Sequence, residues 1–179
     1  MDKIKVLFIC HGNICRSPMA EFVLKDMVEK RGIKEQFEIA SAATSTEEIW
    51  GGHGNPIYPP AQAELRRHGI GGTAYTNFSG KRARQVTRAD YAYYDYLLCA
   101  DRNNIRNTEY ITGGDPDGKI RLLLDFTDRP GRSISDPRTD WMMPSFTFSV
   151  SLQAPCWGAH QPTPWVRPQI SLISLAFVH

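Results

Sequence analysis

The feature that most limits the fold is the passage from residue 5 to residue 18. Val6-Leu7-Phe8-Ile9 runs into Cys10, and the chain resumes at Arg16-Ser17-Pro18. Apolar, β-favouring residues at consecutive positions, with no polar alternation, predict a strand over 5–10 that is buried on both faces. Pro18 stands where a first helical turn has no backbone donor to lose. Met19, Phe22, Val23, Met27 and Val28 then repeat at helical spacing with charges on the other face, and Gly32 ends the run. A doubly buried strand that turns straight into a helix needs parallel neighbours and helices on both sides.

The rest of the chain supplies them. Short strands are predicted over 37–40, 96–100 and 119–125, and helices over 61–68, 87–93 and 102–110. Residues 50–60, rich in Gly and Pro, read as a loop. Alternating strands and helices predict an α/β fold: a single three-layer domain with a four-stranded parallel sheet flanked by helices and right-handed crossovers. The 179 residues suit one domain of ordinary size. A net charge of +2 is too small to argue for nucleic acid or an anionic membrane surface. No apolar run approaches the roughly 18 residues of a membrane span. Four cysteines, Cys10, Cys15, Cys99 and Cys156, form neither a zinc pattern nor a disulfide framework. A reducing, cytoplasmic setting is expected.

The turn between the first strand and the first helix is the candidate site: Cys10-His11-Gly12-Asn13-Ile14-Cys15-Arg16-Ser17. Ligands of open α/β sheets bind beyond the carboxyl ends of strands. A loop entering a helix there aims backbone N–H groups at its own centre, which suits an anion. The same field favours the thiolate of Cys10. Arg16 can grip two oxygens of one phosphate. Gly12 supplies permissive backbone, Asn13 tolerates a left-handed conformation, and Ser17 is placed to donate a hydrogen bond to the sulfur. A cysteine ending a buried strand is most often inert core; the glycine, asparagine, arginine and Ser-Pro around this one favour an anion site instead.

Residues 10–18 closely resemble the Cys-x-Gly-Asn-x-Cys-Arg-Ser-Pro signature of the low-molecular-weight protein tyrosine phosphatases. Ser41-Ala42-Ala43-Thr44, Pro60-Ala61 through Gly69-Ile70, Ala83-Arg84-Gln85-Val86-Thr87, Ala100-Asp101-Arg102-Asn103-Asn104 and Asp136-Pro137 resemble further blocks of that family, in order, over residues 3–137. The resemblance implies hydrolysis of phosphotyrosine in proteins through a phosphocysteine intermediate. Cys10 would be the nucleophile, Arg16 would hold the equatorial oxygens and Asp136 would be the general acid. The loop residues His11, Gly12, Asn13, Ile14, Cys15, Arg16 and Ser17 would bind phosphate. Asn13, Ser17 and Ser41 would hold the loop in shape, and Trp50 would form a pocket wall. No metal or cofactor is needed on this reading, because Arg16 and the loop amides stabilise the charge. Two readings of Cys15 stand: a reversible disulfide partner of Cys10, or a packing residue.

Three positions depart from the family. Ala43 stands where many relatives have Gly. Lys81 stands where many have a loop-supporting histidine, which puts one hydrogen bond of the loop's surroundings in question. After Asp136-Pro137 the text changes altogether, so that residues 1–137 read as the phosphatase-like domain and 138–179 as an atypical tail. The tail holds the charges Arg138, Asp140 and Arg167 alone, with five of the 12 prolines and three of the four tryptophans. Residues 143–152 and 170–178 read as strands by composition only. A reading-frame shift near Arg138, or disorder, would account for the tail, and the family's C-terminal helix is expected to be missing or replaced. Such a helix buries about four large apolar side chains at about 1.5–3 kcal/mol each. Its loss would favour self-association through the apolar tail. Two other functions remain on the sequence: a phosphate-binding relic with Asp136 misplaced, and an arsenate reductase. The second is disfavoured because no relay cysteine lies between Cys15 and Cys99.

Overall fold

The structure, a computed structural model, describes residues 2–136. The tail, with its expected strands over 143–152 and 170–178, lies outside the described residues. In chain order the elements are β1 (Ile4–Cys10), α1 (Arg16–Lys30), β2 (Phe37–Ala43), β3 (Ile49–Trp50), β4 (His53–Gly54), α2 (Pro59–Arg67), α3 (Arg88–Tyr93), β5 (Tyr96–Cys99), α4 (Arg102–Thr112) and β6 (Ile120–Leu122). Strands β2, β1, β5 and β6 lie side by side in that order, and every pairing among them is parallel.

β1 sits inside the sheet, and its apolar run serves both faces. Val6 and Phe8 pack with Ala20, Leu24 and Val28 of α1 on one side. Leu7 and Ile9 pack with Val86, Tyr94, Leu97 and Cys99 on the other, with Ile105 and Ile111 of α4 against them. This is the α/β/α layering that consecutive apolar residues require. α1 is itself covered from outside, where Met19, Phe22, Val23 and Met27 meet Ile57, Ala61, Leu65, Ile70 and Phe78.

Three expectations shift. The 50–60 loop contains a small hairpin, because Trp50 pairs with His53 across Gly51 and Gly52, whose φ values of 56° and 80° supply the two left-handed residues of a tight turn. The strand expected over 119–125 is confined to Ile120–Leu122. Asp125 Oδ2 accepts the Leu122 amide at 3.2 Å and the chain winds into a 3-10 turn at Leu123–Phe126. Glu21, read with the outward charges of α1, is only 4% exposed and points inward. Among the described residues no helix is long and apolar enough to cross a membrane.

Candidate active site

The turn 10–15 is pinned from both sides by its carbonyls. Thr44 N–H donates to the Cys10 carbonyl at 2.9 Å, Ser45 N–H to that of His11 at 2.9 Å, and Tyr58 N–H to that of Ile14 at 2.7 Å. In a trans peptide the N–H points opposite to the C=O. Binding those carbonyls from the flanking segments therefore turns the amides of His11, Gly12 and Cys15 the other way. Asn13 carries the left-handed φ of 55° that lets the chain double back, and its amide donates to Cys10 Sγ at 3.3 Å.

Cys10 is 2% exposed, and its sulfur lies 3.0 Å from Ser17 Oγ. The Asn13 side chain spans the loop and its support: Nδ2 donates to Ser17 Oγ and to Ser41 Oγ, each at 2.8 Å, and Oδ1 accepts the Arg84 amide at 3.2 Å. Ser41 Oγ donates to Glu21 Oε2 at 2.6 Å. Glu21 pairs with Lys25 at 2.6 Å and Lys81 at 3.3 Å, and Lys81 Nζ donates to the Ser41 carbonyl at 3.0 Å. Lysine thus reaches the support position in question.

The Arg16 guanidinium is buried and fixed in orientation. Nη1 donates to Asp101 Oδ2 at 2.7 Å and to the Ile134 carbonyl at 3.1 Å; Nη2 donates to Asp136 Oδ2 at 2.8 Å. Cys10, Arg16 and Asp136, 126 residues apart along the chain at the extremes, meet at the carboxyl ends of β1 and β5. Asp101 also caps α4, since its Oδ1 accepts the Asn104 amide at 2.8 Å.

A cysteine and an arginine on one strand-to-helix turn, with an aspartate brought to the arginine, is an arrangement that can bind a tetrahedral oxyanion and act on it. The comparisons agree. The model of the low molecular weight phosphotyrosine protein phosphatase family matches residues 5–146. The enzyme of that name from Pongo abelii is 40% identical over 134 residues, 74% of this chain and 78% of that one. The low molecular weight protein-tyrosine-phosphatase YfkJ of Bacillus subtilis is 39% identical over 126 residues, 70% of this chain and 74% of its own. The crystal structure of YfkJ superposes with a TM-score of 0.67 at 34% identity, covering 77% of this chain and 81% of YfkJ. The chain belongs to the low molecular weight protein tyrosine phosphatases.

In this phosphatase the structure brings together Cys10, His11, Gly12, Asn13, Ile14, Cys15, Arg16, Ser17, Ser41 and Asp136. Trp50 stands out on the hairpin, 71% exposed. The base of that hairpin touches the loop, since a Cβ on Gly12 would fall 2.9 Å from Glu48 Cγ. His11 Nε2 lies 2.9 Å from Glu47 Oε2. Cys15 packs against the cluster between α1 and α2, and Cys10, Cys15 and Cys99 are all thiols. Among the described residues no three His, Cys, Asp or Glu side chains gather as a metal site would need.

Two participants carry no role in the sequence reading. Asp101 follows a buried strand and opens a helix, the same topological edge as Cys10, and that placement is the signal that could have found it. Glu21 was hidden because helical periodicity registers apolar residues and assigns charges outward by default. Burial holds the Lys81 ammonium below lysine's ordinary range, and the Glu21 carboxylate opposes that effect.

Proposed function

We propose that this phosphatase hydrolyses phosphotyrosine in proteins through a phosphocysteine formed on Cys10, in the cytoplasm and without a metal. The Cys10 thiolate attacks phosphorus and the bond to the tyrosyl oxygen breaks. Arg16 and the turned amides take the charge of the equatorial oxygens. Asp136 gives its proton to the departing phenolate, whose conjugate acid has a pKa of about 10 and which leaves slowly unprotonated. Water then attacks the phosphocysteine, Asp136 takes its proton, and inorganic phosphate and the thiolate are released.

The observation that carries this reading is the Ser17 hydroxyl 3.0 Å from the Cys10 sulfur, at the turn that also delivers Arg16. Arg16 supports the role of Asp136, because it holds that carboxyl at the same guanidinium that would receive phosphate. The test is hydrolysis of a phosphotyrosyl peptide and of 4-nitrophenyl phosphate by the full chain, with vanadate as inhibitor. Cys10→Ser should reduce both to background. Asp136→Ala should slow the phosphotyrosyl peptide by about 10²–10⁴-fold, and 4-nitrophenyl phosphate, with its better leaving group, much less. A Cys10→Ser protein as active as the wild type would sink the proposal; an Asp136→Ala protein slowed on neither substrate would remove Asp136 from it.

A further inference from the structure

We propose that Arg102 is a positioning residue for Asp136: through the Gly131 carbonyl it holds the segment that carries the general acid. The inference rests on Asp136 having that role, as proposed above.

Residues 127–136 belong to no strand or helix, so single bonds decide where they lie. Three residues tie them to the walls of the site. Asp136 Oδ2 accepts Arg16 Nη2 at 2.8 Å. Ile134 donates its N–H to the Ala100 carbonyl at 2.8 Å, and its own carbonyl accepts Arg16 Nη1 at 3.1 Å. Gly131 donates its N–H to Asp125 Oδ1 at 2.7 Å, and its carbonyl accepts Arg102 Nη2 at 3.1 Å.

Two of these ties end on Arg16, the guanidinium that phosphate claims. An incoming dianion competes with the Asp136 carboxylate and the Ile134 carbonyl for the same N–H groups, so both ties loosen just when the acid is needed. Gly131 is gripped by groups outside that competition. Asp125 is fixed at the end of β6, where its Oδ2 accepts the Leu122 amide at 3.2 Å. Arg102 is the first residue of α4. The grip is charge-assisted on both sides, with an anion on the N–H and a cation on the carbonyl. Gly131 meets both with a left-handed φ of 75°, and the guanidinium lies close against it, 3.8 Å from where a Cβ would stand.

A cation in the first turn opposes the helix dipole, and beyond the Asp101 cap α4 has no acidic residue there to offset it. Arg102 is exposed, and an exposed arginine adds little stability. What it adds is placement. Asp101 orients the arginine that takes the phosphate, and its neighbour orients the segment that brings the acid, so the start of α4 sets the distance between the two. An exposed cation near a phosphate site has a simpler use, attraction of the dianion. The two uses differ in what they spare. Attraction helps every phosphate ester alike, whereas placement of an acid helps those whose leaving group needs a proton.

The test is kcat/KM of the full chain for phenyl phosphate, whose leaving group resembles that of phosphotyrosine, beside 4-nitrophenyl phosphate. Arg102→Met should lower the first by about tenfold, short of the roughly 10²-fold that a displacement of about 1 Å can cost, and the second by less than about threefold. Vanadate inhibition and melting temperature should stay near the wild type. Arg102→Gln, whose amide stops short of Gly131, should behave the same way if Arg102→Met does not fold. In an Asp136→Ala background, Arg102→Met should change neither rate by more than about twofold, because the acid it places is gone. Equal losses on the two substrates, or an undiminished further loss in the Asp136→Ala background, overturn the proposal and leave Arg102 a cation that attracts phosphate. An Asp136→Ala protein that separates the substrates beside an Arg102→Met protein that does not sinks the proposal alone; an Asp136→Ala protein that slows neither removes the general acid and the proposal with it.

Discussion

At the scale of single residues, Asp101 does two jobs with two oxygens. Oδ1 caps α4 through the Asn104 amide, and Oδ2 holds Arg16 at 2.7 Å. The jobs separate by substitution. Asp101→Ala removes both and should cost about 0.5–2 kcal/mol of stability from the lost cap. Asp101→Asn keeps a capping oxygen, so its melting temperature should stay near the wild type. Both should lower kcat by about 10- to 100-fold, because a guanidinium released on one side no longer meets the transition state in register. Inhibition by inorganic phosphate should be no weaker in either variant, since one carboxylate fewer competes for Arg16. Melting curves, kcat and phosphate inhibition measured on the two variants decide it. An Asp101→Asn protein with wild-type kcat would leave Asp101 a helix cap and nothing more.

At the scale of elements, the site depends on how closely the β3–β4 hairpin meets the segment 82–86. A Cβ on Gly54 would fall 1.8 Å from the Ala83 carbonyl oxygen, a main-chain atom with nowhere to go. The contact is closed by the Ala83 amide on the Asn55 carbonyl at 2.9 Å, and the next residue, Arg84, gives its amide to Asn13. Gly54→Ala should therefore push the hairpin off this segment, destabilising the protein by about 1–3 kcal/mol. It should also lower kcat, because the displaced segment carries one of the Asn13 contacts. Thermal unfolding with kcat tests both, and a fully stable Gly54→Ala protein would contradict this packing. The same hairpin shows where the sequence was hard to read. The β1–loop–α1 passage was legible because a seven-residue strand and a fifteen-residue helix are long enough to carry a pattern, a continuous apolar run in the first and a helical period in the second. Strands of two residues, Ile49–Trp50 and His53–Gly54, are too short to have one. Two of the supports were hidden for a different reason: Glu21 and Asp101 take their roles from partners 20 and 85 positions away, closed only when the sheet forms.

At the scale of the whole molecule, a sheet buried on both faces makes its interior costly to ionise, and Cys99 reports that cost. It ends β5 between Ile9 and Leu122, is fully buried, and has a weak partner in Thr108 Oγ1 at 3.7 Å. Burial pushes its thiol from 9.0 up to about 12; Thr108 opposes the shift, and the charge of Asp101 adds to it. A group that keeps its proton better when folded stabilises the protein fully below its unfolded value. That stability is lost as pH rises from about 9 through 12. At pH 10.5, about 1.5 units above the unfolded thiol, the loss amounts to about 2 kcal/mol. Tyr75 and Tyr94, also raised by burial, add losses of the same sign at higher pH. Cys99→Ala separates the thiol from the tyrosines: its cavity cost is the same at every pH, so only the thiol's contribution leaves the slope. Urea unfolding at pH 8 and pH 10.5 should show the wild type losing about 2 kcal/mol more than Cys99→Ala over that interval. Equal losses in the two proteins would mean that water reaches the centre of the sheet at alkaline pH, and that the layer beneath the 10–17 loop is looser than its packing shows.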